Sequence, residues 1–138
     1  MTHRVLYVGR WVVDFLFAED DYDLDEIVTY LKDAGATEGL LEDAVDLMTA
    51  CDFNCGFTFT NPEDKTAVVL IGPSTSGAEF KDTFTHEMYH LAEGIAADIG
   101  IELSKEVPAY IAGNAARELS DIVCMLGCRP DLLYKQHA

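Results

Sequence analysis

The segment PSTSGAEFKDTFTHEMYHLAEGIAADIG, residues 73 to 100, constrains this chain more than any other. Phe80, Phe84, Met88, Leu91, Ile95 and Ile99 recur at intervals of three and four, which marks one apolar stripe along a helix. The loop residues 73 to 76 precede the stripe and Gly100 follows it, so the spacing predicts one long helix over about residues 77 to 99. Such a helix needs an apolar platform. The candidates are RVLYVGRWVVDFLFA (residues 4 to 18), read as one strand bent at Gly9, and a hairpin of CGFTFT and KTAVVLIG turning at Asn61 and Pro62. Two short helices are expected between them: Leu24, Ile27, Val28 and Leu31 up to Gly35, then Leu40 to Met48 behind a Thr37 cap. A second long helix is expected over about 104 to 127, capped by Ser104 with Pro108 in its first turn. The order β-α-α-β-β-α-α describes one α+β domain over residues 1 to 138, with residues 129 to 138 as a tail.

The length of 138 residues suits a single core. Nine basic against 25 acidic side chains give a net charge of −16, which repels phosphate backbones and argues against nucleic-acid binding. The same field attracts a basic peptide or protein, although solubility alone also accounts for it. No apolar run is long enough to span a bilayer, so no membrane association is expected. Arg10 and Asp14 interrupt the N-terminal apolar stretch, which speaks against a signal peptide and for a cytoplasmic protein. Reduced, buried cysteines are expected accordingly, with an all-thiolate zinc site from Cys51, Cys55, Cys124 and Cys128 as the alternative. The sequence does not indicate an oligomeric state.

Within the long helix, His86, Glu87 and His90 spell H-E-x-x-H. Residues four apart share one side of a helix, so the two imidazoles can hold one tetrahedral zinc ion. Glu87 lies about 100° around from His86, within reach of a water molecule there but not as a ligand. The division of labour suits hydrolysis: imidazoles hold the metal, the metal acidifies water, and the carboxylate removes the proton. The competing explanation is a helix whose histidines merely face solvent.

A catalytic zinc usually has a third protein ligand. Glu93 is seven residues from His86, about 10 Å along the axis, and Asp98 is farther. Glu93 and Ala96 stand where an H-x-x-G-x-x-H extension would need Gly and His. Glu106 is the better candidate, because about 16 Å of extended chain over residues 101 to 105 can lead back beside the histidines. The competing explanation is an acidic residue simply favoured at a helix N-terminus, and ligation is the preferred reading.

HEMYH followed by EVPAYIAG resembles the glutamate-zincins, in particular the small single-domain minigluzincins and the small H-E-x-x-H proteins of phages and gut bacteria. The resemblance covers residues 66 to about 117. It implies a minimal zincin-like domain, with a small, mostly antiparallel sheet of about three strands packed on the active helix and a glutamate helix, and two further short helices. His86, His90 and Glu106 would be zinc ligands and Glu87 the general base of a metallopeptidase. KTAVVLIG would be the edge strand that pairs with an extended substrate. Tyr110 stands four residues after Glu106, where thermolysin-like enzymes have an Asp that orients a histidine. Its phenol could donate to a developing oxyanion or simply pack on the helix. His137 in the tail is a candidate inhibitory ligand or part of a frayed terminus. The missing Asp, the small size and the acidity leave open an alternative: a latent or inactive zincin-like metal-binding protein acting as an interaction module. A purely structural metal tying the two long helices together is a third possibility.

Overall fold

The computed structural model describes residues 1–102 and 105–128. Its strands are β1 (Thr2–Val8), β2 (Trp11–Phe17), β3 (Gly56–Asn61) and β4 (Thr66–Ile71). Its helices are α1 (Leu24–Asp33), α2 (Glu38–Ala50), α3 (Gly77–Ile99), α4 (Glu106–Glu118) and α5 (Ser120–Gly127). The α+β class holds, and the sheet is mixed, in the order β1-β2-β4-β3. β1 with β2 and β3 with β4 are antiparallel, whereas β2 and β4 run parallel.

The expected three strands become four because residues 4 to 18 fold back on themselves. Val8 pairs with Trp11, and Gly9 has φ +57, so Gly9 and Arg10 form a two-residue turn. A glycine at the first central position is what a type II′ hairpin turn requires. The second correction concerns KTAVVLIG. As β4 it lies in the middle of the sheet, and β3 is the edge next to it. The reason is visible in its burial: Ala67, Val68, Val69, Leu70 and Ile71 are all covered, and a strand without polar alternation needs a layer on each face.

Those layers follow the period of two. Val13, Phe15, Phe17, Ala67, Val69 and Ile71 pack with Phe80, Phe84, Met88, Leu91 and Ile95 of α3 and with Ile111, Ala115, Ile122 and Leu126 of α4 and α5. Leu16, Ala18, Val68 and Leu70 face the opposite way, against Ile27, Leu31, Leu41, Ala44 and Met48 of α1 and α2. Ile99, expected to end the core stripe, is exposed.

α3 is fixed at both ends. The Ser76 hydroxyl accepts from the Glu79 N–H, and Gly100, with φ +74, closes the helix while the Ile101 N–H bonds Ala96 O. Near its C-terminus, Asp98 accepts from Trp11 Nε1 at 3.2 Å and from Lys65 Nζ at 2.6 Å, tying the helix to β2 and to the β3–β4 turn. Thr37 caps α2 as its position predicts. The second long helix is interrupted at Leu119, giving α4 and α5. Ser104 and His137 lie outside the described residues.

The cysteines depart from expectation. Cys51 and Cys55 are joined by a disulfide with a Cα–Cα distance of 6.4 Å, whereas Cys124 and Cys128 are free and exposed. Among the described residues no group of three or more His, Cys, Asp or Glu side chains is arranged to hold a metal, so the four-thiolate site does not form. Among the described residues no helix is long and apolar enough to cross a membrane.

Candidate functional site

His86, Glu87 and His90 share a groove of about 360 Å³ between α3 and β3, lined also by Gly56, Phe57, Thr58, Thr60, Glu93 and Gly94. The groove forms because two glycines let helix and strand approach closely. A Cβ on Gly94 would lie 2.6 Å from Thr60 Cγ2, and one on Gly56 would lie 2.7 Å from Leu70 O and 3.1 Å from Glu87 Cγ. Only hydrogen fits at either position.

The imidazoles face each other across the open side, with His86 Nε2 and His90 Nε2 3.1 Å apart and the rings nearly perpendicular. Two nitrogens on one tetrahedral zinc ion, each bonded at its usual length, would stand about 3.3 Å apart. The pair therefore fits such an ion as two of its ligands. On the far side of His90, the Glu93 carboxylate is 3.7 Å from Nδ1. At that distance the carboxylate acts on the ring as a neighbouring negative charge without a hydrogen bond.

Glu87 is only 4 % exposed. Its Oε1 accepts a 2.9 Å hydrogen bond from the Thr58 hydroxyl on β3. Thr58 is the contact that reading the sequence missed. The signal was present in G-F-T-F-T, whose alternation puts Gly56, Thr58 and Thr60 on one face and Phe57 and Phe59 on the other. A face made of glycine and threonine is one that another element can approach closely.

Glu106, expected as the third ligand, is at the first position of α4 and does not line this groove. The helical wheel gives the reason. α4 rests on the flank of α3 formed by Phe84, Thr85, Met88, Tyr89 and Ala92, where Pro108, Ala109, Ala112 and Ala116 line the space between the helices. At 100° per residue that flank is roughly 150° from the direction of His86 and His90. Tyr110 likewise lies away from the histidines. It is 71 % exposed and, with Asn114 and Arg117, lines a separate groove beside Tyr7 of β1.

No protein family, curated protein or solved structure matches the chain.

Proposed function

We propose that the chain is a zinc-dependent metallopeptidase whose reaction centre is the groove between α3 and β3. The observation that carries this reading is the pair of facing Nε2 atoms, 3.1 Å apart, beside a carboxylate that is held in place. His86 and His90 would hold the ion. Zinc would supply Lewis acidity, which makes water nucleophilic near neutral pH. Glu87 takes a proton from the attacking water and returns it to the leaving amine, the ordinary cycle of a general base. The neighbouring strand supports an extended peptide as substrate. The Gly72 N–H bonds Cys55 O at 2.7 Å, and antiparallel alternation then turns the N–H and C=O groups of Gly56, Thr58 and Thr60 away from β4. Unpaired backbone groups on a sheet edge can bond an added strand. The acidic surface favours basic sequences.

The test combines metal analysis with hydrolysis of a peptide library by wild type and Glu87→Gln. The expected outcome is equal zinc content and a loss of turnover of at least about 100-fold in the variant, the lower end for removing a general base. Undiminished hydrolysis by Glu87→Gln would sink the mechanism.

One observation favours a second reading. With Glu106 outside the groove, only two side chains there, among the described residues, are positioned as zinc ligands, and a partner could supply the next one. The chain would then be a zincin-like metal-binding module for protein interaction rather than a working peptidase. Zinc binding without hydrolysis of any library peptide would select this reading.

A further inference from the structure

We infer that Thr58 is the positioning residue for Glu87, an inference that rests on the metallopeptidase reading for its catalytic consequence. Among the described residues, the buried polar or charged side chains are Ser74, Thr83 and Glu87, and of these only Glu87 carries an ionisable group. A carboxylate removed from water must find its compensation in the protein. Here the partner is the Thr58 hydroxyl, supplied from the sheet edge 29 residues away in sequence.

The hydroxyl has one proton to give and two acceptors in reach. Glu87 Oε1 is at 2.9 Å and the main-chain oxygen of Glu87 at 3.3 Å, so the carboxylate is the nearer acceptor. Oε1 is thereby anchored, and Oε2 is left as the atom that can take a proton. Gly56 completes the arrangement, because a Cβ there would press on Glu87 Cγ at 3.1 Å and push the carboxylate from this position. Thr58 also belongs to the strand whose outward backbone groups would bond an extended peptide. Substrate docking therefore bears on the same residue that aims the base, which couples the strand to the alignment of Glu87.

Three measurements test this. In the first, Thr58→Val, which keeps the shape and removes the donor, should retain zinc and KM within about twofold while kcat falls roughly ten- to hundredfold, the scale of a misaimed reacting group. In the second, Thr58→Ser restores the donor and should recover most of kcat. In the third, a double-mutant cycle on the zinc-free protein, with Thr58→Val and Glu87→Met unfolded in urea, should show coupling of roughly ten- to hundredfold in the unfolding equilibrium, as for a hydrogen bond to a charged group. Unchanged kcat in Thr58→Val, failure of Thr58→Ser to recover it, or an uncoupled cycle each overturns the inference. A wild type that hydrolyses nothing overturns the peptidase reading and the kinetic consequence with it. The zinc-free cycle is read independently and shows whether Thr58 holds Glu87.

Discussion

Replacing Gly94 with Ala tests whether β3 really lies against the histidine face of α3. In a helix interior the change ordinarily stabilises by about 1 kcal/mol, because Gly is the poorer helix former. Here the new methyl would sit 2.6 Å from Thr60 Cγ2, 2.8 Å from Thr60 Oγ1 and 3.1 Å from Thr60 Cβ. Rotating Thr60 does not clear the contact, since Cβ stays where it is and a β-branched side chain swings one heavy atom in as another leaves. Overpacking of this kind costs about 1–3 kcal/mol, which outweighs the propensity gain and leaves a net loss of about 1 kcal/mol. Gly113 in α4 provides the control, because a Cβ there meets nothing within 4 Å. Gly113→Ala should therefore gain about 1 kcal/mol, and the two variants should differ by about 2 kcal/mol in urea unfolding. Thr60→Ala in the Gly94→Ala background should recover part of the loss. If Gly94→Ala stabilises as much as Gly113→Ala does, β3 is not packed on α3 and the groove described above does not exist.

The remaining predictions concern the metal and the thiols. Equilibrium zinc binding should be abolished by His86→Ala or His90→Ala and left within about twofold of wild type by Glu106→Ala, since Glu106 does not line the groove of the histidines; a Glu106→Ala defect as large as that of His90→Ala would return it to the ligand set. Glu93→Ala should weaken zinc binding by less than about tenfold, because an exposed carboxylate 3.7 Å from His90 Nδ1 acts as a screened charge and not as a hydrogen-bond partner. Thiol titration of the unreduced, denatured protein should find Cys124 and Cys128 reactive and Cys51 and Cys55 not. Reduction should then lower stability by about 2 kcal/mol, the chain-entropy value for so short a loop, and four reactive thiols before reduction would contradict the disulfide.

Features set by neighbouring residues were legible in the sequence. Ser76, the stripe from Phe80 to Ile95, and Gly100 mark the start, buried face and end of α3 without help from the rest of the chain. The hairpin at Gly9 was also written locally, as Gly-Arg between two apolar runs, but a bent strand and a two-residue turn differ only in the backbone at one glycine. The place of β4 was readable from composition: an apolar run with no alternation belongs in the interior of a sheet, and the edge assignment came from resemblance instead. The pairing of Cys51 with Cys55 depends on the path of the loop between α2 and β3, which spacing alone does not define.

Glu106 shows where such reasoning reaches its limit. The length of residues 101 to 105 bounds how far the chain can travel back along α3. α4 does pack on that helix, but the Lys105 N–H bonds Glu102 O at 3.1 Å, a contact that the expected extended link would not make. Length carries no information about which flank the chain returns to. That choice is made by burial: Phe84, Met88 and Ala92 offer an apolar flank to Ala112 and Ala116, whereas the opposite flank carries His86, His90 and Glu93. The same preference that gives α4 its packing keeps its carboxylate away from the histidines. What faces them instead is the β3 edge, which brings Thr58 to Glu87 and packs Thr60 against Gly94. A site built from one helix and one strand edge is open on its remaining side. Among the described residues no third ligand lines the groove, and what provides one decides between cleavage and binding.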